Sequence, residues 1–427
     1  MKAVKQSNEP ARKRRFFIAR FVVEYLKVLG GNMKHFIFAA ALLSAAGTAG
    51  AQEGAAAVDP NAVAFKFYAG EAAKPGNVFF SPYSMYTAFG MAYEGAKGAT
   101  AEEIAGVFAF PGGAGLRAGL ASIQKNLAAA SKGAEFIQAN SFWAQKDYKF
   151  LPAYLKTLKT GYGAEARNAD FKKKTEGARK AINSWTSRKT KGKIPELFPA
   201  DSLTAMTRLV LVNAVYFKGQ WETTFKKDMT FDTDFTKTDG GKVKIKMMSA
   251  AGARDAEYTE NEDLQALRLP YKGGGLSMLV LLPRRGKAVT DVEKDFGAGK
   301  LEDLRKSLAT EKVKVFLPRF KFSAGYKLNG PLAALGMPTA FTDKADFSGM
   351  DGTQGLYIQN AFHKAFVEVN EEGTEAAAAT GVAMGLKSMP MGQKMFRADR
   401  PFLFFIEDTK TGLILFMGRM EDPAKSE

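Results

Sequence analysis

Val367-Glu368-Val369-Asn370-Glu371-Glu372-Gly373-Thr374-Glu375-Ala376-Ala377-Ala378-Ala379-Thr380 is the stretch on which the reading of this chain turns. It begins as a strand, with apolar and charged residues alternating. From Gly373 onward no apolar side chain is larger than alanine. On composition alone this is a strand running into an alanine-rich helix or a flexible linker.

Just upstream, His363 shares its strand face with Ala365, Val367 and Val369. A lone histidine among apolar groups is more often a satisfied core residue than a catalyst. Downstream, Phe402 to Ile406 and Leu413 to Met417 form a hairpin across the turn Asp408-Thr409-Lys410-Thr411-Gly412. Upstream, Leu209 to Phe217 and Leu276 to Leu282, the latter closed by Pro283, are continuous apolar runs, while Val313, Val315 and Leu317 alternate with polar residues. These are strands, some buried on both faces.

The first half of the chain is helical in period. Ala62, Phe65, Phe67 and Tyr68 recur at helix spacing, and a second helix follows Ser81-Pro82 with Met85, Phe89 and Met91 inward. Thr100 with Glu103 has the spacing of a capping box, and residues 117 to 134 and 175 to 188, the latter with Ile182 and Trp185, are amphipathic. Helices early and strands late argue for an α+β fold. There is no repeat, Pro/Ser linker or break in composition, so residues 52–427 read as one domain.

The 427 residues are 46% apolar and 12% aromatic, ample material for a core. Met33-Lys34-His35, the apolar run Phe36 to Ala46 and the small residues ending Ala49-Gly50-Ala51 have the form of a signal peptide, residues 33–51. At about eleven residues that run is too short to span a bilayer, and no later stretch reaches the roughly 20 apolar residues required. Residues 1–32, with Arg12-Lys13-Arg14-Arg15, admit nucleic-acid binding, a membrane surface anchor or an upstream extension; an extension is favoured because a signal peptide normally starts a chain. The expected mature protein begins near Gln52 and is secreted or periplasmic.

Removing residues 1–51 lowers the net charge from +17 to +10, with 52 Lys/Arg against 42 Asp/Glu. Basic clusters remain at Lys172-Lys173-Lys174 and at Arg188-Lys189-Thr190-Lys191-Gly192-Lys193. They either attract a polyanion or form a solvated helix face, the commoner case. Cysteine is absent, which excludes disulfides, thiol catalysis and Cys-ligated zinc, and one mature histidine excludes a histidine cluster for metal.

The stretch Glu371 to Thr380 resembles the hinge of the serpin family, of form E-x-G-T-E-A-A-A-A-T. The resemblance extends over nearly the whole mature chain, through Asn77-Val78-Phe79-Phe80-Ser81-Pro82-Tyr83-Ser84, Asn213-Ala214-Val215-Tyr216-Phe217-Lys218-Gly219-Gln220-Trp221, Phe362-His363-Lys364-Ala365 and Arg400-Pro401-Phe402 with Phe416-Met417-Gly418-Arg419. It implies about eight or nine helices around three β-sheets with an exposed reactive-centre loop. It also implies suicide inhibition, in which a serine protease cleaves the loop, is trapped as an acyl-enzyme in a covalent 1:1 complex, and is carried along as the loop becomes a new strand. Such insertion is itself a known instance of strand addition and of switching.

Inserted residues alternate in facing, so Thr374, Ala376, Ala378 and Thr380 must be small and uncharged, while Glu375 faces solvent. No proline is present to remove a ladder donor, Ala377 and Ala379 keep the run small, and Gly373 leaves the backbone free to swing. Counting from Gly373 as the family does, the scissile bond is Lys387-Ser388, implying a trypsin-like target. The segment from Ser388 to Pro401 is about three residues longer than the family pattern, and a bond shifted to Met384 or Met389 would redirect the inhibitor to chymotrypsin- or elastase-like proteases.

The resemblance further implies a cluster of Ser81, Ser84, Asn213 and His363 where the sheet opens, and places Trp221 and the pair Arg319 and Glu371 where the loop enters. An ordinary core tryptophan and a solvated ion pair fit these last three residues equally well. It implies a monomer with no cofactor, no metal, and no nucleic-acid or membrane partner. Two rivals stand beside it. Ser122-Ile123-Gln124-Lys125 and Lys410-Thr411-Gly412 match two of three marks of penicillin-recognising enzymes, but no Ser-Asp-Asn and no G-x-S-x-G elbow occur, so no enzymatic activity is expected. The other is a non-inhibitory serpin acting as a binding protein or chaperone, against which the small-residue hinge argues.

Overall fold

The structure, a computed structural model, describes residues 58–294, 296–374 and 394–425. The early helices are α1 (Ala64–Ala72), α2 (Pro82–Gly95), α3 (Gly98–Phe108), α4 (Gly113–Ala130), α5 (Pro152–Tyr162) and α6 (Thr175–Lys189). Ser81 caps α2 by accepting from the Ser84 backbone N–H, with Pro82 in the first turn where no amide partner is needed. Met85, Phe89 and Met91 are fully buried, as their spacing implies.

Two local readings change. α3 starts at Gly98, ahead of Thr100, so Thr100 and Glu103 lie inside the helix and form no capping box. Their side chains bind a later segment instead: Thr100 Oγ1 accepts from the Asp346 N–H, and Glu103 accepts from the Thr339 N–H and hydroxyl. α4 ends at Ala130 and Ala134 already belongs to strand β2 (Ala134–Gln145), because the helical spacing cannot register Gly133, held at φ +94 against Lys272. Gly98–Ala130 is apolar enough on average to cross a membrane. It is, however, two helices broken at Ala109–Gly112, with Ile104, Phe108, Leu116 and Leu120 in the core.

One sheet has the order β11-β12-β13-β4-β2-β3. Its remaining strands are β3 (Glu165–Ala169), β4 (Leu209–Gln220), β11 (Phe320–Lys327), β12 (Asn360–Asn370) and the two-residue β13 (Gly373–Thr374). The other runs β1-β16-β15-β9-β8-β7-β10-β6-β5, with β14 (Lys394–Arg397) beside β10. Its members are β1 (Val78–Phe80), β5 (Phe231–Thr236), β6 (Lys242–Ser249), β7 (Arg254–Glu260), β8 (Leu264–Pro270), β9 (Leu276–Pro283), β10 (Ala309–Pro318), β15 (Phe402–Asp408) and β16 (Ile414–Met420). The expected three sheets are thus joined into two ladders among the described residues. The join is β10, which pairs with β7 over Ala309–Val313 and with β6 over Phe316–Pro318.

The central strand β4 is buried on both faces, and its alternation sorts two cores. Val210, Val212, Ala214 and Tyr216 pack with Ile182 and Trp185 of α6, whereas Leu209, Leu211, Val215 and Phe217 join the main core with α2 and the second sheet. The main-core row therefore contains one polar residue, Asn213.

Candidate functional site

Asn213 has a polar layer around it. Register puts Asn140 of β2 and His363 of β12 directly beside it, so three adjacent strands present Asn140, Asn213 and His363 at one level. The N-terminus of α2 supplies the rest. Asn213 Nδ2 donates to Ser84 Oγ (2.6 Å), to the Ser84 carbonyl (3.1 Å) and to Asn140 Oδ1. His363 Nε2 accepts from the Ser81 backbone N–H at 3.0 Å, so the ring proton sits on Nδ1, which donates to Asn213 Oδ1. The imidazole also stacks on Tyr326 of β11, with ring centroids 6.2 Å apart. Burial pushes its pKa down to about 3, so it is neutral.

This layer ties together β4 and β12, a parallel pair whose evenly spaced, slanted hydrogen bonds are slightly less stable per residue than antiparallel ones. Asn213 partners three of its members, so Asn213→Ala orphans several buried groups at about 1–3 kcal/mol each. The expected result is a larger fall in urea midpoint than Asn140→Ala causes, measured by circular dichroism. Equal falls would mean that Asn213 is not the hub.

Above this layer the seam opens. β12 and β4 pair directly from Asn360 with Val210 to Phe366 with Tyr216. Higher up they part by one strand width, and β13 lies between them: Gly373 is opposite Asn370 and Gln220, and Thr374 is opposite Val369 and Gly219. Gly373 is required for proximity as well as freedom, since a Cβ there would lie 2.0 Å from the Gly219 carbonyl oxygen.

The side chains around the stub complete a lid. Thr374 is 1% exposed and shares a 2.6 Å hydrogen bond with the Tyr271 hydroxyl. Tyr271 stacks on Trp221 at 4.7 Å and 8°. Trp221 Nε1 donates to the Asn370 carbonyl, and its backbone N–H donates to Glu372 O, both at 2.9 Å. Glu371 is buried and accepts from Thr230 Oγ1 at 2.6 Å, while Arg319 approaches it at 3.7 Å with a side chain 46% exposed. That pair is loose and contributes little.

The structure therefore gathers Ser81, Ser84, Asn213 and His363 in one layer, and Trp221, Arg319, Glu371, Gly373 and Thr374 at the open end of the same seam. Glu375, Ala376, Ala377, Ala378, Ala379, Thr380, Lys387 and Ser388, like Met384 and Met389, lie outside the described residues, as does the signal segment. Sequence reasoning missed Asn140, Tyr271 and Thr230. Asn140 was discoverable from the alternation that sets it on one strand face with Phe136, Phe142 and Ala144; Tyr271 follows the end of β8 and meets Trp221 through one isolated bridge, which no periodicity marks. The basic clusters are partly neutralised at the surface, Lys172 by Asp147 (3.0 Å), Lys189 by Glu165 (3.2 Å) and Lys191 by Glu135. Ser122 and Lys125 are exposed on α4, and no described hydrogen bond joins them to Lys410.

The two-residue strand β13 set between β12 and β4 is the feature that marks this site, and comparison with known proteins gives the family. The family described as Serpin (serine protease inhibitor) matches residues 59–423. An uncharacterized serpin-like protein of Thermococcus kodakarensis is 42% identical over 85% of this chain and 84% of its own length. The human leukocyte elastase inhibitor is 40% identical over 82% of this chain and 93% of its own. The crystal structure of Serpin48, a highly specific serpin in the insect Tenebrio molitor, superposes with a TM-score of 0.76 at 32% identity, covering 85% of this chain and 97% of that one. The chain belongs to the serpin family.

Proposed function

We propose that this protein inhibits serine proteases as a suicide substrate, by cleavage of the loop after β13, acyl-enzyme trapping and insertion of the loop between β12 and β4. The observation that carries this reading is the stub itself: two hinge residues occupy the gap between these strands, and the gap is lined so that Thr374 is buried without a clash. Below it, the hydrogen-bonded layer around Asn213 must part for further residues to enter, which couples insertion to the stability of the native sheet. We further propose Lys387-Ser388 as the bond and a trypsin-like enzyme as the target, with residues 33–51 directing export and residues 52–427 acting as one monomeric domain.

A second reading concerns specificity. The relatives named leukocyte elastase inhibitors favour a bond shifted toward Met384 or Met389 and an elastase-like target. Incubating residues 52–427 with trypsin and with elastase, followed by denaturing electrophoresis and mass analysis of the released C-terminal peptide, separates the two. A detergent-resistant complex with trypsin and a peptide starting at Ser388 supports the first; a complex with elastase and a peptide starting elsewhere supports the second. Cleavage by both without a complex removes inhibition and leaves a binding protein or chaperone.

A further inference from the structure

Asp399, in the crossing between β14 and β15, is held by three arginines. Arg285 Nη2 is 3.0 Å from Oδ2, Arg397 Nε is 3.2 Å from Oδ2, and Arg400 Nη1 is 2.9 Å from Oδ1. The nearby charges are already matched: Arg284 with Glu260, Lys287 with Asp263 at 3.1 Å, and Lys237 with Asp239 at 3.3 Å. Three guanidinium groups on one carboxylate leave an excess of two positive charges among the described residues.

The arginines are not equally committed. Arg400 is folded into the protein, giving Nε and Nη2 to the Pro283 carbonyl, and Arg397 gives Nη2 to Thr233 Oγ1 while its guanidinium lies over Phe231 and Phe316. Arg285 is 78% exposed, and its one contact with Asp399 leaves most of its donor fork facing solvent. The backbone fixes the cluster, since the Asp399 carbonyl accepts from the Thr236 N–H and its own N–H donates to Arg397 O. Burial lowers the Arg400 pKa, Asp399 opposes that shift, and the charges of Arg285 and Arg284 add to it. Two anchored guanidinium groups hold excess positive charge beside the solvent-facing fork of Arg285, and that fork matches the paired oxygens of a tetrahedral oxyanion.

We propose that Arg285, Arg397 and Arg400 form a binding site for a doubly charged oxyanion, a phosphate or sulfate group, which supplements Asp399. The site is distinct from the sheet seam and stands whether or not the protein inhibits a protease. It also differs from the basic clusters at 172–174 and 188–193, where Lys172, Lys189 and Lys191 each pair with a separate carboxylate and no three cations converge on one group. The oxyanion belongs either to a small free phosphate compound or to a sulfate ester on a sugar chain.

Equilibrium dialysis of the full chain against labelled inorganic pyrophosphate, at low ionic strength, tests this, with a sulfated heparin disaccharide as competitor. The expected result is one saturable site, weakened about ten-fold in Arg285→Ala, the equivalent of one charge-assisted hydrogen bond. Asp399→Asn raises the excess positive charge and is expected to shift affinity the opposite way, which a merely structural role would not do. Competition by the disaccharide assigns a sugar sulfate, and its failure to compete assigns a free phosphate compound. No saturable binding, or parental affinity in both variants, overturns the proposal.

Discussion

Replacing Thr374 by arginine is expected to convert the protein from inhibitor to substrate, with at least a ten-fold rise in the number of molecules cleaved per protease trapped. Thr374 is 1% exposed, and its hydroxyl is satisfied by Tyr271, itself stacked on Trp221. An arginine there must bury a cation among aromatic rings or force β13 out of the seam. An unpaired buried charge costs several kcal/mol. In the proposed mechanism, insertion races hydrolysis of the acyl-enzyme, and each 1.36 kcal/mol added to the insertion barrier shifts that race about ten-fold. Thr374→Ser keeps the hydroxyl and adds neither bulk nor charge, and should inhibit as the parent does. Complex yield per cleavage, measured by titrating a fixed amount of protease, decides the matter; parental yield from Thr374→Arg would sink the insertion reading.

The second large effect is pH dependence. His363 has a folded pKa pushed from 6.5 to about 3 by burial, and its hydrogen-bond partners are the Ser81 N–H and the Asn213 side chain, with no carboxylate among them. The unfolded chain therefore takes up a proton in a range where the folded one does not. The contribution of the neutral ring is fully present above about pH 6.5 and is lost as pH falls toward 3. At 1.36 kcal/mol per unit, the loss at pH 5 is about 2 kcal/mol. The urea midpoint should fall between pH 7.5 and 5 in the parent and much less in His363→Gln, which starts from lower stability. Parallel slopes in the two proteins would remove His363 as the cause. Because its layer also closes the seam, spontaneous loop insertion on warming should quicken over the same acid range in the parent alone.

Several features of the seam were legible because local chemistry carried them. Ser81-Pro82 pairs a capping side chain with a first-turn proline and does open a helix, and the continuous apolar run of β4 is a strand covered on both faces. The small residues from Gly373 onward restrict what could replace them, and the His363 environment follows from counting every second residue. Thr100 and Glu103 misled for the complementary reason. Their spacing satisfied a local rule, but the side chains bind the Asp346 and Thr339 backbones, more than two hundred residues away.

By itself, then, the sequence determined the α+β character, the strand identities of β4, β9 and β10, the apolar surroundings of His363 and the small side chains of the hinge. These depend on periodicity and side-chain size, which act over a few residues. Only the tertiary structure decided that Asn140, Asn213 and His363 stand at one level, that β10 joins two expected sheets into one ladder, and that Gly373 and Thr374 already separate β12 from β4. Strand register and neighbour order arise from pairings between distant segments, and a shift of one residue would turn Asn213 from the polar layer toward α6. The excess charge at Asp399 has the same origin, since the turn after β9, strand β14 and the crossing after it each bring arginine to a carboxylate that no local spacing connects to all three.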